Sequence, residues 1–279
     1  MKQITAYLKA HEQRFIDELV EYLRFPSVSA QSVHKIDMTA CARWLANHGK
    51  SIGLKARVHK TDGHPIVTLA TPRKRTGSRP HFLVYGHYDV QPPDPLELWD
   101  TPPFDPQICG RNLYAICASD NKRQHFAHIK AVEAYLKTGT ELPCDLTFVV
   151  EGEEEVGGEA LVDFLKQKKR DLKCDGVVVS DTGMPDLKHP ALTYALRGVA
   201  ALEVRLDGPD RDLHSGIYGG SVENPAMALS KLLAQMIDKN GRIAVPGFYD
   251  DVAKLSAYER KQMSRLLFSE ARYKKLLGG

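Results

Sequence analysis

No stretch of this chain approaches the roughly 20 consecutive apolar residues that cross a bilayer. Its charged opening, "MKQITAYLKAHEQRFIDELVEYL", has no apolar signal-peptide core. Charge of one sign is not in excess either. The 38 basic and 35 acidic residues leave a net +3, too little by itself to mark a nucleic-acid or other polyanion partner. The five cysteines, Cys41, Cys109, Cys117, Cys144 and Cys174, are odd in number, scattered and without a CxxC pair. That pattern suits a reducing cytoplasm better than a disulfide framework. Internal repeats and low-complexity segments are also missing. The expectation is a cytoplasmic protein with no membrane and no nucleic-acid partner. At 279 residues, 43% hydrophobic and 26% charged, the chain can build one large domain or two smaller ones around a sizeable core.

Apolar positions at helical spacing (Ile4, Leu8, Phe15, Leu19, Leu23) predict a helix over residues 4–24, and a second amphipathic helix is predicted over about 38–52. The strand-like segments "LKARVHK" and "PIVTLAT" follow, then the basic turn "PRKRTGSRP". Beyond it the pattern alternates. "HFLVYGHYDV", "NLYAICASD", "CDLTFVVEG" and "CDGVVVSD" read as strands. "NKRQHFAHIKAVEAYLKTG" and "GGEALVDFLKQKK" read as helices. Such alternation predicts an α/β fold with a mostly parallel sheet and helices on both faces. From about Gly198 the texture changes: "VAALEVRLDG" reads as a half-exposed strand, "NPAMALSKLLAQMID" as a helix with an early proline, and the basic tail as helical. The expected domains are therefore 1–197 and 198–279.

The puzzle of the chain is "LTFVVEGEEEVGGEALVDFL", where an apolar strand runs into Glu151, Glu153, Glu154, Glu155 and Glu159. Crowded carboxylates repel, most of all where local dielectric is low. Either they fan into water or something positive sits among them. Ligands of open α/β sheets lie beyond the carboxyl ends of the strands. Four predicted strands end in metal-ligand chemistry: His87 and Asp89, Asp120, the Glu153–Glu155 run, and Asp181. One imidazole with several carboxylates suits Zn²⁺ or a similar divalent ion. In an extended His87-Tyr88-Asp89, residues i and i+2 share a face, so Asp89 can orient the imidazole. For any one of these residues alone, a turn cap is the competing reading.

The segments "YGHYDVQPPDPLELWDTPPFDP", "ASDNK", "EGEEEVGG", "VVSDTG" and "RDLHSGIYGGSVENPAMAL" stand in order along the chain. Together they resemble the motifs of the dinuclear zinc aminoacylase/carboxypeptidase family, nearest its carnosinase-type cytosolic dipeptidases. The resemblance runs from about Val20 to about Pro246. It implies a zinc-peptidase-like catalytic domain, the start of a smaller α+β lid or dimerisation domain, and two Zn²⁺ ions in the complete enzyme, with Mn²⁺ or Co²⁺ as alternatives. By resemblance His87 binds the first zinc with Asp89 behind it, and Asp120 bridges both ions and precedes a cis peptide. Glu154 is the general base, Glu155 binds the second zinc, and Asp181 binds the first. His214, on the lid, reaches a partner's active site in a homodimer and stabilises the oxyanion. Glu153 then points away from the metals, and Glu159 opens the next helix.

This chain departs from that pattern in three places. Where the family usually reads Gly-Arg-Gly before the bridging aspartate and an acid and a glycine after it, this sequence has Ala115, Ile116 and Cys117, then Asn121 and Arg123. Cys117 is read as a small buried residue rather than a ligand. After Asp250 the sequence offers no histidine, although the family completes its second zinc site with a late one. The lid, by the same comparison, lacks part of its sheet. The expectation is an N-terminal, truncated portion of an enzyme that hydrolyses dipeptides or similar short amides with metal-activated water. An N-acyl amino acid deacylase or desuccinylase acting on acyl-amino-acid substrates, and a non-catalytic binding protein on the same fold, are the alternatives.

Overall fold

The computed structural model describes residues 1–72, 79–184, 191–196, 198–266 and 269–278. Residues 73–78 of the basic turn, residue 197 at the expected boundary, and residues 267, 268 and 279 of the tail lie outside them. The chain divides into two compact units, Met1–Tyr194 and Ala195–Gly279.

The first unit is built on five strands: β1 (Lys55–His59), β2 (Ile66–Ala70), β3 (His81–His87), β6 (Asp145–Glu151) and β7 (Gly176–Val179). Their order is β1-β2-β6-β3-β7. The strands that carry the predicted chemistry are parallel, with β3 between β6 and β7 and His87 opposite Glu151. At the other edge, β1 and β2 run antiparallel. Alternation of side chains splits the apolar runs between two faces. Val67, Leu69, Val84, Phe148 and Val150 join the main core. That face lies under α2 (Glu12–Leu23), α3 (Lys35–Ser51) and α4 (Lys122–Lys137), while Ile66, Leu83 and Val149 pack on Phe164 of α5 (Glu159–Lys168). Burial on both faces explains why β3 and β6 read as near-continuous apolar runs, whereas the valines of the edge strand β7 are exposed.

Two sequence expectations change. The helix over 4–24 is two helices, α1 (Lys2–Ala10) and α2, parted at His11 with φ −116° and ψ 14°. The His11 ring bonds the same Tyr7 carbonyl that its backbone N–H uses, local competition of the kind that weakens a helix. "NLYAICASD" is not a strand of the central sheet. Only Asn112–Tyr114 (β5) is extended, paired with Gln107–Cys109 (β4) in a separate ribbon. Ala115, Ile116 and Ala118 owe their apolar character to packing around Leu23, Val28, Val90 and Cys117.

The second unit holds α6 (Ser215–Tyr218), α7 (Pro225–Gln235), α8 (Ala257–Met263) and α9 (Glu270–Leu276). Asn224 caps α7 through the Ala226 and Met227 N–H groups, and Ser256 and Glu259 form a capping box on α8. The strand expected over 199–208 does not form. A strand needs a hydrogen-bonded neighbour, and none of the described residues supplies one. None of the unit's described residues is buried, so local caps rather than a core shape its helices.

In the first unit, a polar clasp ties the helices together. Lys130 of α4 pairs with Glu18 and, at 2.9 Å, with Glu133; Arg14 reaches Glu18 at 2.7 Å and Glu133 at 2.6 Å. His48 of α3 accepts from Lys130 Nζ at 2.6 Å. Burial first, then the Lys130 charge, pushes His48 down to about 4, below the roughly 6.5 of an unfolded chain. The folded state resists protonation, so the stability linked to this ring is complete above about pH 6.5 and is lost as pH falls toward about 4. The urea midpoint, followed by circular dichroism, is expected to fall across that window. His48→Gln, which can still accept from Lys130, should flatten the slope; an unchanged slope would remove His48 as its source.

Candidate metal centre

Three parallel strand ends and one loop build the site. β3 delivers His87. β6 ends at Glu151 and leads into a 3₁₀ turn, Glu154–Val156, while β7 continues through Ser180 to Asp181. Asp120 comes from the loop before α4, not from a strand end, and its peptide bond to Asn121 is cis. Fully buried, the His87 ring meets a different partner at each nitrogen. Nδ1 lies 3.1 Å from the Asp89 carbonyl and 3.3 Å from its carboxylate. Nε2 lies 3.1 Å from Asp120 Oδ1, 3.5 Å from Asp181 Oδ2 and 4.0 Å from Glu154 Oε2.

Asp89, also fully buried, does more than orient the imidazole. Its two oxygens accept the backbone N–H groups of Glu154 (3.3 Å) and Glu155 (3.1 Å). One carboxylate therefore fixes the ring and the turn that presents the next two acids. Gln91, which lies in the segment after His87 but is given no role from the sequence, donates to Glu155 Oε2 at 2.6 Å. Ligand atoms of His87, Asp120 and Glu155 fall within 4.8 Å of one another.

The electrostatics ask for a cation. Burial raises Glu154, Glu155 and Asp181 above the usual carboxylate range, and neighbouring acids raise them further. Burial pulls His87 down, but the Asp89 hydrogen bond and charge, then Asp181 and Glu154, carry it up to about 9. A neutral His87 that donates from Nδ1 to Asp89 leaves the Nε2 lone pair facing the carboxylates, a donor set that fits Zn²⁺. The contrast is the cluster of Glu18, His48 and Glu133, whose ligand atoms are equally close. There the chain's own Lys130 ammonium already serves as the cation.

The other glutamates divide by partner. Glu153 accepts from the His64 N–H at 2.7 Å and the Ala160 N–H at 3.4 Å, so it braces a loop and α5. Glu159 starts α5. Glu151 accepts from the Tyr85 hydroxyl at 2.7 Å and is pushed up to about 7, chiefly by burial. Buried Cys117 aims its sulfur at the carbonyls of Asp89 and Asp120, and burial pushes the thiol up to about 12; it packs as a neutral group. Asn121, noted from sequence only as a missing charge, bonds the His87 N–H. His214 belongs to the second unit, where it caps α6 by accepting from the Gly216 N–H at 3.0 Å.

Residues 83–265 match the model of Peptidase family M20/M25/M40. The chain is 32% identical over 259 residues to the Cys-Gly metallodipeptidase dug1 of Schizosaccharomyces pombe, covering 89% of this chain and 54% of the relative. It is also 32% identical over 272 residues to the Beta-Ala-His dipeptidase of Homo sapiens, covering 93% and 54%. The solved structure of the di-peptidase Dug1p from Saccharomyces cerevisiae superposes with a TM-score of 0.80 at 26% identity, over all of this chain and 61% of that one. The chain spans about half the length of the curated relatives it matches.

Asp89→Asn keeps one acceptor oxygen but loses the charge and the second acceptor. It is expected to weaken Zn²⁺ binding about 10- to 100-fold, measured by competition with a chromogenic chelator. Unchanged affinity would count against Asp89 as the organiser.

Proposed function

The chain belongs to Peptidase family M20/M25/M40, and from that membership and its site geometry we propose that it serves metal-dependent hydrolysis of dipeptides. The observation that carries the reading is His87 Nε2, faced by Asp120, Asp181 and Glu154 with Asp89 behind the ring. His87, Asp120 and Asp181 would hold one divalent ion, and Asp120 with Glu155 a second. Zn²⁺ is the first choice, and Mn²⁺ or Co²⁺ share enough of its donor preference to substitute. Such ions polarise an amide carbonyl and acidify water.

The chain's own residues supply the proton transfers. Glu154 is partly open to solvent, and burial and neighbouring charge raise its carboxyl, a shift toward the range where a general base works well. It takes the proton of the attacking water and returns it to the departing amine. His214 Nδ1 accepts a backbone N–H, so its proton sits on Nε2, a donor suited to an oxyanion. In this reading the second unit is a lid and dimerisation domain, His214 acts across a homodimer, and the protein is cytoplasmic. The free cysteines agree with a reducing compartment. Among the described residues, no helix is long and apolar enough to cross a membrane.

With Zn²⁺ supplied, hydrolysis of Cys-Gly or β-Ala-His, read by amine release, is the expected activity. Glu154→Gln should lower it by about 10²- to 10⁴-fold while Zn²⁺ affinity stays within about threefold. Equal activity in the variant would remove the base, and faster hydrolysis of N-acetyl amino acids than of dipeptides would overturn the substrate class. With three protein ligands at one position and two at the other, titration is expected to find one tightly held Zn²⁺ per chain. Two equally tight ions would contradict that ligand assignment.

A further inference from the structure

We propose that Asn121, His125 and Tyr22 form a buried positioning relay that holds His87 and Asp181 in register for a cation. The proposal rests on the metal-site reading above. All three residues are fully buried, and the direction of every bond follows from partners that can play only one role. The His87 backbone N–H can only donate, so the Asn121 atom 3.2 Å from it is Oδ1. The Ser180 carbonyl can only accept, so the atom 2.9 Å from it is Nδ2, which also donates to Gln124 Oε1 at 2.8 Å. Because Oδ1 only accepts, His125 Nδ1, 2.9 Å away, carries the ring proton. His125 Nε2 is then the acceptor for the Tyr22 hydroxyl at 3.1 Å. Burial first, then the charges of His87 and Lys122, pushes His125 down to about 3, so the ring keeps one neutral form.

The relay does something the sheet does not. The β3–β7 ladder ends at Tyr85 opposite Val179. Beyond that rung, the Asn121 carboxamide stands between the two backbones, binding the N–H of His87 on one side and the carbonyl preceding Asp181 on the other. Asn121 also follows Asp120 directly, so one side chain couples three candidate ligands. Space for the His125–Asn121 bond is made by Gly86, where a Cβ would lie 2.8 Å from His125 Nδ1 and 2.9 Å from Asn121 Oδ1.

The direction of these bonds separates positioning from charge. Asn121→Asp adds a negative charge beside the site, which by Coulomb attraction alone tightens Zn²⁺ binding. The relay requires the opposite, since an aspartate oxygen would face the Ser180 carbonyl with no proton to give. Zn²⁺ affinity by chelator competition is expected to fall tenfold or more in Asn121→Asp, and about threefold in Tyr22→Phe, which changes no charge. Long-range ¹H–¹⁵N spectra of the histidine rings provide a readout independent of metal. His125 should be the Nδ1–H form in the unsubstituted chain and, because Asn121 Oδ1 still only accepts, in Tyr22→Phe as well. Equal or tighter Zn²⁺ binding by Asn121→Asp, or an Nε2–H His125 in the unsubstituted chain, would overturn the relay. An unsubstituted chain that binds no Zn²⁺ overturns the metal-site reading, and with it the relay's purpose; the Nδ1–H signal would then support only the bond geometry.

Discussion

The Asp89 carboxylate is the constraint on which the site depends. It is out of solvent, where an unpaired charge is costly, and it is satisfied by His87 Nδ1 and the N–H groups of Glu154 and Glu155. That arrangement joins the end of β3 to the turn after β6. Parallel pairing brings the two strand ends side by side, and Asp89 converts this neighbourhood into a defined direction for the imidazole and a defined position for two glutamates.

Around it the protein concentrates negative charge that it does not neutralise itself. The contrast with the helix clasp is instructive, because both places gather a histidine and carboxylates. In the clasp, Lys130 and Arg14 answer Glu18 and Glu133, and Glu133 is held below the ordinary carboxylate range by those bonds despite burial. At the strand ends no lysine or arginine pairs with Glu154, Glu155 or Asp181 among the described ion pairs, and these acids are pushed upward. One cluster is complete as structure; the other is arranged for a cation from outside.

Much of this was legible in the residues. The runs before His87, Glu151 and Asp181 hold four or five largely apolar residues, and such runs bounded by turns signal strands; these three are the parallel ones, with β3 and β6 buried and the edge strand β7 exposed. Asp120 stands beside His87 Nε2 but comes from a loop, not from the strand end that the sequence predicts. Its apolar approach, Ala115 to Ala118, packs partly buried in a loop against α2 and the segment near Val90, and hydrophobicity alone does not distinguish that from a strand. The strand over 199–208 failed because alternation specifies a face but not a neighbour to pair with.

The sequence by itself determined which segments are apolar, which residue types follow them, and the order of the motifs, because these are properties of neighbours along the chain. Tertiary structure alone decided that Asp89 grips a turn more than sixty residues away and that Asn121 links His87 to Ser180. It also decided that Lys130 fills one acidic cluster while the other keeps its charge. Those outcomes depend on hydrogen-bond direction and on distances of about 3 Å between residues remote in sequence, which no local pattern encodes.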